Sequence, residues 1–374
     1  MFIPPFCPNP ACPYHLKAPG SPAWFSHRGS YLTKSAGKIR RFFCTCCKRG
    51  FSERTFSIDY YTKKLVDYRT LLTLLSSSMG LRQISRFTSL SLATLSNRYE
   101  RLSRQSLALH ERISQTHEVG EDLVADEFET FSVSQYFPEF YHLLVGKDSQ
   151  FLYFFTHMKF KRKGRMTEVQ KLIKEVLYER VKFKRGRQSR SFAEVMEKIA
   201  QMGAHRECLT LHTDEKKAYL TAIPRNPTLR RMSEEGRFIH ETTVSTAPRT
   251  FSNPLFAVNY FDREIRKDSA GHVRETVRFN RNMSAGLIRL SCYALYHNFY
   301  KCFRINDAVG SDRRHYREAE IDEELVKGRL AKIFTERVFI SKEEITGFSR
   351  RLWFKEIETP LKKRAEYVPK FAYA

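Results

Sequence analysis

Two acids close short apolar runs. Asp126 ends the run in Asp122-Leu-Val-Ala-Asp-Glu-Phe-Glu-Thr-Phe131, and Asp214 ends the run in Leu209-Thr-Leu-His-Thr-Asp-Glu-Lys-Lys-Ala-Tyr219. A carboxylate at the exposed end of a buried strand suits a hard cation, because Mg²⁺ takes a few carboxylate oxygens and keeps its remaining waters. Two such acids on neighbouring strands can share a metal pair, a common means of breaking and remaking phosphodiesters. A single strand-end acid is more often only a cap, so the reading depends on what surrounds the two. Lys216 and Lys217, beside Asp214, favour a phosphate over a small neutral substrate. A third ligand is expected on a helix over 255–267, where Asn259 and Asp262 share a face. Glu264, Asp268 and Glu275 compete with them.

A second constellation is made of thiols. Of eight cysteines, five precede residue 48. Cys7 and Cys12 form one pair and Cys44 and Cys47 another, and four converging thiolates fit tetrahedral Zn²⁺. Cys46 is the rival within the second pair, with His15 and His27 as weaker substitutes. A segment this small needs such a staple to fold. A disulfide framework is not expected in a reducing compartment. Cys208 is expected in a strand, and Cys292 and Cys302 on a helix.

The rest of the chain must position these groups. Residues 1–62 read as a zinc ribbon, with hairpin strands at 30–33 and 39–43, Gly37 near the turn, and Phe51 packed under the metal. In residues 63–118, Leu71, Leu72 and Leu75 outline a first helix, and Ile84 and Phe87 mark a short second one. Leu92, Leu95, Tyr99 and Leu102 recur at helical spacing on a third. The opposite face of that third helix carries Thr94, Asn97, Arg98 and Arg101. These side chains can reach bases and phosphates, as in a helix-turn-helix. Residues 119–302 read as an α/β layer: strands at 123–126, 141–145 and 151–155, then helices, then the strand ending in Asp214. A basic insertion at 159–190 holds thirteen Lys/Arg against three Glu. Within it, Lys161, Arg162, Lys163, Lys184, Arg185 and Arg187 are the expected phosphate contacts. Residues 303–374 read as a helical tail lying on another surface, with no chemistry of its own.

The net charge of +24 points to a polyanionic partner, and DNA comes first. No stretch approaches the length of apolar sequence a membrane span requires. The N-terminus lacks the charged-then-apolar build of a secretory signal. The expected location is the cytoplasm, on the nucleoid.

Taken together, the paired cysteines, Ala-Asp126-Glu-Phe, His-Thr-Asp214-Glu-Lys-Lys-Ala-Tyr and Asn259-Tyr-Phe-Asp262-Arg-Glu-Ile-Arg266, followed by Arg274-Glu-Thr-Val-Arg-Phe-Asn-Arg281, resemble a known family. It is the DDE-type insertion-sequence transposases with an N-terminal zinc finger, a helix-turn-helix and an RNase H-like catalytic domain. The resemblance covers roughly residues 1–302. It implies an RNase H-like mixed sheet with flanking helices, Mg²⁺ or Mn²⁺ at the acids, Zn²⁺ at the cysteines, and a homo-oligomer assembled on DNA. It also implies two-metal phosphoryl transfer, in which an element end is hydrolysed and the freed 3′-hydroxyl attacks target DNA. Asp126 and Asp214 fall on the family's first two acids. The family's glutamate position falls on Asn259, a departure that leaves Asp262, then Glu275, to supply the third. The competing readings are a DNA-binding regulator with an inactive core and a nuclease that cuts without joining.

Overall fold

The computed structural model describes residues 2–20, 23–183, 186–272, 278–308 and 310–374. Near the N-terminus, a single helical turn, α1 (Pro13–Leu16), precedes an antiparallel sheet of β1 (Phe25–Thr33), β2 (Gly37–Cys44) and β3 (Gly50–Ser52). Gly37 turns the hairpin with φ of 64°, a conformation that favours glycine. Trp24 and Phe51 stack beneath the four cysteines at a centroid distance of 5.7 Å.

Three helices follow: α2 (Tyr68–Leu75), α3 (Leu81–Thr88) and α4 (Leu92–Thr116). Asp67 caps α2 through the amides of Arg69 and Thr70, and Ser91 caps α4 through that of Thr94. With 25 residues, α4 is about 37 Å long. Its first turns pack on α2 and α3, and its remaining length runs on into the core of the chain.

That core is a mixed α/β layer. Five strands stand in the order β6-β5-β4-β7-β8. β4 (Leu123–Phe131), β5 (Pro138–Gly146) and β6 (Leu152–Lys159) form an antiparallel meander. β7 (Leu209–Asp214) lies parallel to β4, and β8 (Phe238–Thr243) parallel to β7. Between β6 and β7 come α5 (Glu168–Glu179) and α6 (Arg187–Gly203); between β7 and β8 come α7 (Lys217–Ala222) and α8 (Pro227–Glu234). Then α9 (Phe256–Asp268) packs on β4 and β5, and α10 (Met283–Phe299) packs on α4. Cys292 is buried on α10, as expected, whereas Cys302 lies beyond the helix end and Cys208 is an exposed residue just before β7.

Residues 303–374 carry α11 (His315–Glu318), α12 (Glu323–Leu330) and α13 (Gly347–Trp353) and return to the start of the chain. The Ile58 amide donates to Thr335 O at 2.9 Å, and the Arg337 amide to Phe56 O at 2.7 Å. The Phe339 ring packs edge-on against Phe6, and the Arg104 guanidinium donates to Trp353 O. The tail thereby becomes part of one apolar core shared by α2, α4, the sheet and α10. Among the described residues, no helix is long and apolar enough to cross a membrane.

Candidate metal centres

The β4–β7 ladder sets the acidic site. Leu123 pairs with Leu211, Val124 with His212 and Ala125 with Thr213, and there the ladder stops. One more step in the same register brings Asp126 beside Asp214. β7 ends at Asp214, but β4 runs on to Phe131 paired with β5. Asp126 therefore lies within its strand and not at the strand end expected from the sequence; the site opens where β7 leaves the side of β4. Successive strand residues face opposite sides. Asp126 therefore shares a side with Phe128, which lies under the Arg266 guanidinium of α9. Glu127 shares the other side with its cross-strand partner His142, which meets Tyr219 of α7.

Oxygens of Asp126, Glu127 and Asp214 nonetheless lie within 4.8 Å of one another. The Glu127 amide donates to Asp126 Oδ1 at 2.7 Å, and the Lys216 amide to Asp214 Oδ1 at 3.2 Å. The Lys216 ammonium reaches back over the acids. It contacts Glu127 and stands 3.2 Å from Asp214 Oδ2 and 3.9 Å from Asp126 Oδ1. Burial pushes the Glu127 carboxyl up to about 7 against the pull of Lys216, with Asp126 and Asp214 adding to the rise. Burial also raises Asp126. Burial works against the charge on Lys216, but Glu127, Asp214 and Asp126 together hold its pKa above the ordinary value. Three carboxylates around one cation form an all-oxygen donor set of the kind hard divalent ions take.

Asp126 and Asp214 are thus brought together as expected. Glu127 is the acid that sequence reasoning passed over, although it directly follows Asp126. Asp262 projects from α9, outside the convergent group. Its Oδ1 is buried without a hydrogen-bond partner. Burial and then the Asp126 charge raise its pKa far above the carboxylate range, against Arg266 and Arg249. Asn259 is occupied, its amide donating to Leu255 O at 2.9 Å. Glu264 and Asp268 are engaged by Lys301 away from the site. Glu275 lies outside the described residues.

A cleft of about 420 Å³ adjoins the acids. Glu127 and Lys216 line one part of it, and Lys161, Arg162 and Lys163 another. Arg162 donates to Gln135 Oε1 at 2.8 Å, which holds it at the rim. Lys184 and Arg185 fall outside the described residues, as does the side chain of Arg187.

At the thiol site, Cys7 Sγ lies 3.6 Å from Cys47 Sγ and Cys12 Sγ lies 3.8 Å from Cys44 Sγ. Zinc–sulfur bonds of about 2.3 Å in a tetrahedron require sulfurs about 3.8 Å apart. Cys7, Cys12, Cys44 and Cys47 therefore fit one metal ion. Cys46 points to solvent. His15 is turned to Cys7 O and Ser341 Oγ. Burial is the largest influence on Cys47, yet hydrogen bonds from the Arg49 amide, Asn9 and its neighbouring thiols bring it down to about 7.

The expected DNA-reading face of α4 needs correction. Arg98 and Arg101 are 3% and 5% exposed. Arg98 donates to Lys64 O, and Arg101 donates to Ile58 O and lies over the Phe371 ring at 4.2 Å. The face read as a groove-facing surface is covered by the 58–64 segment and the C-terminal tail. Thr94 is tied to the Ser91 cap, and Asn97 accepts from both arginines. Outward polar residues of this region include Arg82, Gln83 and Arg86 on α3, Arg69 and Thr73 on α2 and Ser96 on α4.

Neither a family model nor a curated protein matches this chain.

Proposed function

We propose that the chain is a DNA transposase whose core is an RNase H-like layer. It would cut element ends and join the freed 3′-hydroxyl to target DNA with the help of Mg²⁺ or Mn²⁺. The observation that carries this reading is the meeting of Asp126, Glu127 and Asp214 oxygens at the parting of β4 and β7, beside a cleft lined by Lys161, Arg162 and Lys163. The order of a three-stranded meander followed by parallel strands agrees with the fold that the sequence resemblance implies.

Within this proposal each residue has a task. Asp126, Glu127 and Asp214 would hold divalent metal, and Asp262, outside that group, would join it only by turning from α9 towards them. Bound metal supplies Lewis-acid stabilisation of the phosphoryl group and an activated nucleophile. Lys161, Arg162 and Lys163 hold the backbone phosphates of the strand being cut, a contact weakened by salt. Lys216 balances the carboxylates and faces the same cleft. The thiol site holds Zn²⁺ and makes the N-terminal sheet a rigid module.

The test is a duplex carrying the element end, incubated with Mg²⁺. Asp126→Asn and Asp214→Asn are expected to abolish nicking while leaving the gel shift intact. Unchanged nicking in either variant removes the enzyme reading. Strand-joined products separate a transposase from a nuclease that only cuts. A DNA-binding regulator with an inactive core is favoured by one observation: among the described residues, Asp262 is not in the convergent group. Absence of nicking by the unaltered chain, with DNA binding retained, selects that reading.

A further inference from the structure

A second cleft, of about 620 Å³, opens between the N-terminal sheet and the loop at 60–63, away from the acids. Arg28, Arg41, Arg54 and Lys63 contribute to its wall, and no carboxylate does. Its aromatic content is organised. The Tyr60 and Tyr61 rings lie 4.1 Å apart at 32°. The Arg337 guanidinium stands 4.8 Å from the Tyr60 ring. Tyr61, the other member of this tilted ring pair, is 77% exposed.

The exposed ring is held at a cost. Tyr61 has φ of 58°, in the left-handed region that a bulky residue seldom adopts. Arg54 braces the loop by donating to Asp59 O, Thr62 O and Thr62 Oγ1. A strained, braced backbone that presents a large ring to water does nothing for the core. It does prepare a flat apolar face beside cations.

We propose that this cleft binds an unpaired stretch of nucleic acid, one base stacking on Tyr61 while flanking phosphates meet Arg41 and Lys63. Base faces are covered in a duplex, and a concave pocket cannot enter a groove. A strand with splayed bases satisfies both the ring and the cations. An acidic peptide would use the cations but leave the exposed Tyr61 ring without a matching partner. The inference rests on nucleic acid being the partner proposed above, but not on the chemistry of the acids.

The experiment is fluorescence anisotropy of a labelled oligothymidine of about ten nucleotides, with the full-length zinc-loaded protein and no added Mg²⁺. A sealed duplex of equal length and a poly-aspartate peptide serve as the other arms. Tyr61→Ala is expected to weaken the single strand about five- to a hundredfold, with zinc content and melting temperature unchanged. Tyr61→Phe is expected to keep binding. Arg41→Ala is expected to reduce the salt slope by about 0.7. Equal losses on duplex and single strand, an unaffected Tyr61→Ala protein, or poly-aspartate displacing the oligomer at equal charge each overturn the proposal. If nicking fails while Tyr61-dependent binding holds, only the phosphoryl-transfer reading falls; the reverse pattern removes only this cleft.

Discussion

Asp126 and Asp214 face each other across the first unpaired step of the β4–β7 ladder, so the strand register itself brings the two carboxylates together. Glu127 joins them from the opposite side of β4 because Lys216 draws all three towards one point. A site built in this way has its charge balance and its metal affinity in the same few atoms.

Metal affinity is therefore expected to depend on pH through Glu127. With its pKa raised by burial from 4.5 to about 7, the folded chain holds a proton there that the unfolded chain has released. Stability without metal then falls as pH rises through this window. Divalent metal, which needs the ionised form, binds more tightly over the same window. Mn²⁺ titrations followed by electron paramagnetic resonance at about pH 5.5 and about pH 7.5 check the second effect, and melting temperatures check the first. Glu127→Gln is expected to flatten both and to weaken Mn²⁺ by at least about tenfold.

Lys216→Gln leaves the three carboxylates without their counter-charge. Allowing for the 39% exposure of the lysine side chain, the loss of stability without metal is about 1 kcal/mol. Added Mg²⁺ is expected to restore it, so the metal-induced rise in melting temperature is larger in this variant than in the unaltered chain. An equal rise in both proteins would show that metal and ammonium do not share these oxygens.

Part of this site is legible in the sequence, because the apolar run that closes on Asp214 does end a strand there. Asp126 closes an apolar run as well, yet β4 continues to Phe131, so that run marks only the buried part of the strand. The four zinc-compatible cysteines are legible from their paired spacing. Glu127 is not, since strand alternation sends it to the far face and only the returning Lys216 makes it a member. Arg98 and Arg101 fail for a different reason. Polar residues on one helical face read as exposed, but here that face is covered partly by Phe371, some 270 residues further along the chain. Periodicity reports which residues share a face, and distant segments decide whether the face stays open.

Arg101→Met accordingly tests burial against DNA reading. Losing the hydrogen bond to Ile58 O and the contact with Phe371 is expected to cost about 2 kcal/mol, read by urea denaturation. The gel shift of folded protein should stay unchanged, whereas Arg86→Ala on α3 should leave stability within about 0.5 kcal/mol.

At the thiol site, Cys44→Ser is expected to abolish zinc binding, measured by elemental analysis of the purified protein, and to lower the melting temperature. Cys46→Ser should leave the zinc content unchanged, because that thiol faces solvent. Equal zinc loss in both variants would mean that the ligand set is not the four sulfurs that converge.

Asp262 gives the sharpest contrast between stability and activity. Its carboxyl is buried, lacks a hydrogen-bond partner at Oδ1 and lies in the field of Asp126. Asp262→Asn removes an acid whose ionised form the fold disfavours. The metal-free protein should therefore melt at a higher temperature near neutral pH, and the gain should vanish below the ordinary carboxylate range, where the unfolded chain is protonated as well. Mg²⁺-dependent nicking should fall by at least about a hundredfold if this oxygen turns to the metals when DNA is bound. Full activity together with the stability gain would identify Asp262 as a buried structural acid and leave Asp126, Glu127 and Asp214 to hold the metal alone.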